Sequence, residues 1–358
     1  MRISLISYHL PAVGQRRGGV DRVANDLAHG LAQRGHQVTV WSHDPRPAGA
    51  AYEVKPLPWR GFAETRLGFR ILGGYLGNLL NVLPKYEADL LIAVGDSLFL
   101  PLRRKPLVRV MLGSALGEAL SATNPLRVLL QLGIYPQELL TALLQQGCVG
   151  ISQNSRRFNP FVRNVIPLGV DLSRFMPARD KKTAHPSILF VGALGGRKRG
   201  AFLLEQFCES IRPRFPQASL MMVSEPGTAM DGVSYFTGIS QTELIELYQS
   251  AWVYASPSRY EGFGLPYLEA MACGTPVIAT PNPGSRELLG KSEFGLLSSD
   301  ADFSRKLCDL LSGPEVRSVL TASGLARARE YSLDKMLDRY EMLMEKLCLG
   351  TVPANAAA

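Results

Sequence analysis

Residues 252–280 read WVYASPSRYEGFGLPYLEAMACGTPVIAT, and the reading of this stretch decides the fold. Residues 252–255 are an apolar run of aromatic and β-branched side chains, the composition of a strand. Gly262 and Gly264 permit a tight turn with exposed amides. Pro266 suits the first turn of a helix, and Leu265, Leu268 and Met271 or Ala272 supply its packed face. Gly274 stops that helix, and 276–280 resumes as a strand. Strand, glycine turn, helix, strand is a βαβ unit, which requires a parallel sheet.

The same order recurs upstream. Residues 187–191 (SILFV) are a strand, 192–200 (GALGGRKRG) a glycine-rich turn, 201–211 a helix and 219–223 (SLMMV) the next strand. At the N-terminus, 2–7 is a strand and 20–33 a helix with Val20, Val23, Ala24, Leu27 and Leu31 on one face. Gly35 stops that helix, and 37–42 (QVTVWS) is the second strand. The expected architecture is α/β, with two Rossmann-like domains facing across a cleft. Their boundary falls in the turn-forming stretch near 166–169, giving domains of 1–168 and 169–331. A last helix, about 332–348, is expected to pack back on the first domain. Ligands in such sheets bind beyond the carboxyl ends of the strands.

Composition agrees with this size. The 358 residues suit two domains of ~150 residues each, and 46% hydrophobic against 20% charged residues excludes a disordered chain. The five cysteines include no Cys-x-x-Cys, which argues against a disulfide framework or a zinc site and suits a reducing, cytoplasmic setting. The N-terminal residues lack the long apolar run and small-residue cleavage site of a signal peptide. The longest uncharged apolar stretch, 71–84, is shorter than the ~20 residues that span a bilayer. Residues 1–168 hold 19 Lys and Arg against 10 Asp and Glu, whereas the rest hold 20 against 21. The first half is therefore expected either to carry a solvated basic face or to meet an anion, a charged substrate or an anionic membrane surface, and no nucleic acid. Two apolar, cation-flanked stretches, 60–85 and 127–144, are expected either to pack as helices on the first domain's sheet or to lie on a membrane.

The turn 192–200 follows a strand and opens a helix, so its amides face the anion site of a helix N-terminus. It is neither Gly-x-Gly-x-x-Gly nor a Walker A loop, which argues against an NAD-dependent oxidoreductase. It carries three consecutive cations instead, Arg197, Lys198 and Arg199. Cations there suit a diphosphate whose negative charge grows as it leaves. Glu261 stands just before the second glycine turn and Glu269 lies eight positions on, inside the helix. Carboxylates at such a place repel a diphosphate but accept hydrogen bonds from hydroxyls, and sugars offer hydroxyls. Glu261, being on a turn, is expected to lie outside the core, so that its removal spares the fold.

These segments together resemble glycosyltransferase family 4. The match rests on Glu261, seven residues, Glu269, and then Ala270-Met271-Ala272-Cys273-Gly274-x-Pro276-Val277. Gly18-Gly19-Val20, Arg34-Gly35-His36, Ile166-Pro167-Leu168-Gly169-Val170-Asp171, the 189–198 turn, Phe236-Thr237-Gly238-Ile239-Ser240 and Tyr331-Ser332-Leu333 agree in order. The resemblance implies a GT-B fold and a retaining transferase working in cell-envelope or exopolysaccharide biosynthesis. It implies a nucleotide-sugar donor, a UDP-sugar first and a GDP-sugar second, with no prosthetic group and no metal. The acceptor is a glycan, a lipid-linked molecule or a small molecule. By position, Glu261 holds donor-sugar hydroxyls, Glu269 ribose hydroxyls, and Arg197 and Lys198 neutralise the leaving diphosphate. Amides of Phe263, Gly264 and Leu265, beside Gly262, meet phosphate or sugar oxygens. Gly192 belongs to the diphosphate loop, Gly238 and Ile239 to the base region, and Gly19 lets the first-domain loop approach the diphosphate. His9 and Arg17 are the acceptor-side candidates. Two departures stand out: Ala193 where many members carry Arg, and Leu112 where many carry His. They favour the alternative of a non-catalytic relative, a partner subunit or sugar-nucleotide-binding protein.

Overall fold

The computed structural model describes residues 1–11, 19–57, 79–95, 97–122, 124–178 and 180–350. Arg17, Gly18 and most of the 60–85 stretch lie outside the described residues. The chain divides into two compact units. The first is built from the described residues of 1–120, 124–168 and 333–350, the second from 169–332 with Ser121 and Ala122.

In the first unit, β1 (Arg2–Ile6), β2 (Gln37–Ser42), β3 (Glu53–Pro56), β4 (Leu90–Val94), β5 (Leu107–Met111), β6 (Gly147–Gly150) and β7 (Asn164–Val165) form one sheet. Its order is β3-β2-β1-β4-β5-β6-β7. All neighbours are parallel, with Ile3 opposite both Val38 and Leu90. Every residue of β4 and β5 is buried, as expected of central strands covered on both faces. The helices are α1 (Gly19–Gln33), α2 (Ala115–Ser121), α3 (Pro125–Leu144), α4 (Gln153–Phe158) and, from the far end of the chain, α11 (Leu333–Leu349). Helix α1 buries Val23, Ala24, Leu27 and Leu31. Val20, on the same face but in the first turn, is exposed.

Helix α11 packs on α1. A Cβ at Gly30 would stand 2.5 Å from Leu337 Cδ1, so a side chain there would require Leu337 to shift. Arg34 donates to Asp338 (2.7 Å) and Glu341 (2.6 Å), and His36 Nε2 lies 2.9 Å from Glu341.

The second unit holds β8 (Ser187–Val191), β9 (Ser219–Val223), β10 (Val233–Phe236), β11 (Val253–Ser256), β12 (Val277–Ala279) and β13 (Leu296–Leu297). Their order is β10-β9-β8-β11-β12-β13, again all parallel. Its helices are α5 (Gly200–Gln206), α6 (Gln241–Ser250), α7 (Leu265–Ala272), α8 (Pro283–Leu289), α9 (Phe303–Ser312) and α10 (Pro314–Glu330). The stretch expected as one helix over 201–211 splits into α5 and a π-helical turn, Phe207–Ile211. That wider turn still aims Phe207 and Ile211 into the core formed by Phe190, Leu203, Met222, Val253 and Phe303.

Each strand order contains one reversal. The second unit builds outward from β8 to β10 on one side and from β11 to β13 on the other, so its switch point lies between β8 and β11. In the first unit the switch lies between β1 and β4. At such points the loops leaving two adjacent strands diverge and leave a crevice.

Candidate active site

The two loops that flank the β8/β11 switch are the two singled out by the sequence. The 192–200 loop leaves β8 and folds over Phe190. A Cβ at Gly192 would stand 2.9 Å from Phe190 Cζ, and one at Gly200 2.8 Å from Phe190 Cε1. Gly196 (φ +62°) and Arg199 (φ +58°) take left-handed backbone, so the chain makes a 3₁₀ turn over Gly196–Lys198 before α5 begins. The three cations of this loop take separate duties. Arg199 forks onto Asp300 with two 2.8 Å bonds and stacks over Phe202. Arg197 and Lys198 turn to the other loop.

That loop, 257–264, leaves β11 and is tied down by buried polar groups. Ser258 O accepts from Thr280 Oγ1 (2.8 Å) and Asn282 Nδ2 (2.9 Å), and Asn282 also caps α8. Gly284 N donates to Glu261 O (3.0 Å), and Arg259 N to Arg197 O (2.8 Å), which stitches the two loops together. Gly264 starts α7 at φ +99°, where a Cβ would meet Tyr267 Cδ2 at 2.5 Å. Phe263 is buried against Tyr331. Gly262 and Leu265 are half-buried.

Glu261 meets both cations. Its Oε2 lies 2.9 Å from Arg197 Nη1 and its Oε1 2.6 Å from Lys198 Nζ. Arg197 Nη1 also donates to Tyr260 O (2.7 Å). The expectation that Glu261 stands outside the core needs correction: it is on the turn, yet only 6% exposed, because the loop is folded down by Thr280, Asn282 and Gly284. Burial works to raise its carboxyl, but Lys198 and Arg197 outweigh that and hold it below the usual carboxylate range. Three side chains from two loops thus carry a net charge of +1 at the switch point.

The remaining candidates fall in different places. Glu269, in the second turn of α7, is buried and accepts from Tyr248 Oη of α6 at 2.9 Å. Gly238 (φ +67°) and Ile239 lie on the loop from β10 to α6, directly before the Ser240 capping box. In the first unit, Gly19 opens α1 and is exposed. His9 follows β1 at that unit's switch point, with Nδ1 3.2 Å from buried Asp44.

Sequence reading missed a hollow of about 180 Å³ beyond the end of β5, lined by Gly95, Arg109, Leu112, Ser114, Glu118 and Glu138. Arg109 and Glu138 are buried; Arg109 Nε donates to Gly95 O, and Glu138 Oε2 accepts from Ala115 N. A charged residue in the middle of the apolar strand LVRVM was the signal for it.

Two parallel α/β units in tandem, each with one switch point, make a GT-B fold. The sequence comparisons agree. The model described as Glycosyltransferase Family 4 matches residues 17–113, and that described as Glycosyl transferases group 1 matches residues 185–313. The chain belongs to glycosyltransferase family 4. It is 30% identical over 173 residues to O-antigen chain mannosyltransferase B of Escherichia coli, a match covering 43% of this chain and 45% of that one. The matched stretch spans about half the length of the curated relatives. Among solved structures, sucrose-phosphate synthase from Thermosynechococcus elongatus superposes with a TM-score of 0.76 at 20% identity, over 98% of this chain and all of that one. HepE of Anabaena in complex with UDP-glucose superposes with a TM-score of 0.69 at 16% identity, over 97% of this chain and all of that one. These likenesses show the fold.

Proposed function

We propose that this chain transfers a glycosyl group from a nucleoside-diphosphate sugar to a hydroxyl-bearing acceptor with retention of anomeric configuration. The observation that carries the reading is the buried Glu261 held ionised between Arg197 and Lys198 at the β8/β11 switch. Negative charge grows on the departing diphosphate as the glycosidic bond breaks, and two fixed cations lower the cost of that charge. A carboxylate kept ionised accepts hydrogen bonds from donor-sugar hydroxyls, which orients the ring over the cations. Glu269 is assigned to the ribose hydroxyls, Gly238 and Ile239 to the base. Gly192, Gly19 and the turn Gly262, Phe263, Gly264 and Leu265 are assigned to close approach of the diphosphate and sugar. His9, backed by Asp44, and Arg17 are assigned to the acceptor side.

In a front-face displacement the leaving phosphate takes the acceptor proton, so Leu112 in place of histidine is compatible with turnover. The donor is read as a UDP-sugar, for which the UDP-glucose complex of HepE is the support, with a GDP-sugar second. The acceptor is a glycan, a lipid-linked molecule or a small molecule in envelope or exopolysaccharide synthesis, in keeping with the O-antigen enzyme among the relatives. The five free cysteines support a cytoplasmic setting.

The test is a thermal-shift panel of nucleotide sugars followed by donor hydrolysis without acceptor. A ligand of the folded state raises the midpoint. A shift with one nucleotide sugar and slow hydrolysis of it support the reading. A shift with neither hydrolysis nor transfer to any added acceptor would favour the competing reading of a binding-only relative, to which Leu112 and Ala193 point. No shift with any nucleotide sugar overturns both.

A further inference from the structure

Helix α8 is seven residues long, about 10 Å from end to end, and both of its ends are held. Its first turn holds the loop that carries Glu261: Asn282 Nδ2 donates to Ser258 O at 2.9 Å and Gly284 N to Glu261 O at 3.0 Å. The approach at Gly284 is close. A Cβ there would stand 2.3 Å from Phe263 O and 3.0 Å from Glu261 O, and backbone oxygens cannot swing aside as a side-chain end can. The last turn of α8 presents carbonyls that no amide of the helix serves. Arg327, on α10, takes two of them, donating from Nη2 to Glu287 O (2.7 Å) and from Nε to Leu288 O (3.3 Å). Its Nη1 donates to Glu330 at 2.6 Å. The same guanidinium lies over the rings of Phe294 (4.5 Å) and Tyr331 (4.8 Å), and Tyr331 packs on Phe263 with ring centres 5.8 Å apart.

We propose that Arg327 is a positioning residue that fixes Glu261 between Arg197 and Lys198, acting through α8 and through Tyr331 and Phe263. Two routes run from one guanidinium to the same loop. They arrive at Ser258, Glu261 and Phe263, on both sides of the carboxylate. Glu261 depends on such fixing because its two partners stand on a different loop, 192–200. Its contacts there are charge-assisted bonds of 2.9 and 2.6 Å, which a shift of the 257–264 backbone would break. Misplacement by ~1 Å, from a change far from the reacting atoms, can cost ~10²-fold in rate. Arg317 supplies the comparison. It too donates to two last-turn carbonyls, Leu310 O and Leu311 O of α9, and stacks on an aromatic ring, Trp252, at 4.4 Å. Trp252 precedes β11, at the end of the strand opposite the loop, so Arg317 closes its helix in the same way but away from Glu261.

For turnover the inference rests on the transfer reading, so it is tested both without catalysis and with it. Without catalysis, Glu261→Gln is combined with Arg327→Met and, separately, with Arg317→Met, and urea unfolding is followed against pH. The advantage of Glu261 over Glu261→Gln is present above the ordinary 4.5 and fades below it. It is expected to shrink in the Arg327→Met background and to stay whole in the Arg317→Met background. With catalysis, Arg327→Met is expected to lower kcat about tenfold or more, with little change in binding of the donor's nucleoside diphosphate. Arg317→Met is expected to leave both alone at a similar loss of thermal midpoint. Arg327→Lys keeps the charge and a donor for the carbonyls, so it is expected to recover part of kcat; it also serves as the test chain if Arg327→Met does not fold. An undiminished advantage of Glu261 in the Arg327 variants overturns the proposal. So does a kcat that Arg327→Met leaves unchanged or lowers no more than Arg317→Met does. If the unaltered chain transfers no sugar, the transfer reading fails and the stability comparison alone decides this one.

Discussion

A carboxylate taken out of water needs compensation, and Glu261 obtains it from Arg197 and Lys198. Glu261→Gln is expected to abolish transfer and also to destabilise the fold, by roughly 1–3 kcal/mol, below the cost of a fully buried pair because both cations keep contact with solvent. Urea unfolding beside a transfer assay checks it; an unchanged midpoint would mean the pair contributes nothing to stability. The sign with pH follows from the depressed carboxyl. The advantage over Glu261→Gln is complete above the ordinary 4.5 and fades as pH falls through the lower folded value. Arg197→Ala with Lys198→Ala is expected to lower turnover by ~10²-fold or more, while binding of the free nucleoside changes little. Equal loss in both would assign these cations to ground-state binding. Lys182 offers a second titration. Burial pushes its ammonium down to about 8, where it donates to Ala251 O and Thr275 Oγ1. Between about 8 and the ordinary 10.5 the unfolded chain holds the proton that the folded chain has lost, so stability rises with pH across that window. Measured as the difference between the unaltered chain and Lys182→Met, the rise should be visible from pH 8 upward. A flat difference would show the lysine titrating normally.

At the scale of elements, the 257–264 turn and α7 were legible because glycine and proline act locally. Gly264 takes a backbone angle that other residues avoid, and Pro266 fixes the first turn wherever the segment sits. Gly264→Ala is expected to cost about 1–3 kcal/mol, from its φ of +99° and from the approach of Tyr267. Denaturation reads that cost, and loss of nucleotide-sugar binding alongside it would show that the turn shapes the site; full stability in the variant would mean the turn relaxes freely. The ties of Thr280 and Asn282 to Ser258 were not legible, because hydrogen bonds between residues more than twenty positions apart leave no local pattern. The same holds for Arg197, Lys198 and Arg199. In sequence they are three equivalent cations, and only the packed loops send two to Glu261 and one to Asp300.

At the scale of the whole molecule, the first unit is closed by the last helix of the chain. Gly30→Val is expected to destabilise that unit, since its side chain would collide with Leu337, and Leu337→Ala in the same chain should restore part of the loss. Thermal denaturation of both variants checks the pairing, and equal stability of Gly30→Val and the unaltered chain would refute it. Transfer is expected to survive EDTA, because Arg197 and Lys198 supply positive charge where a metal would otherwise be needed; strict dependence on added manganese or magnesium would contradict this. The sequence by itself determined the parallel α/β class, the tandem of two such units, the glycine-rich loops and the identity of the charged residues on them. Each of those follows from periodicity, backbone preference or residue chemistry within a few positions of the chain. Tertiary structure alone decided that Glu261 is buried, which cations serve it, that Arg109 and Glu138 line a hollow, and that the leucines of α3 face outward. An apolar stripe at helical spacing reads the same whether it meets a sheet or solvent, and burial and charge pairing are settled only by what the rest of the chain places against each side chain.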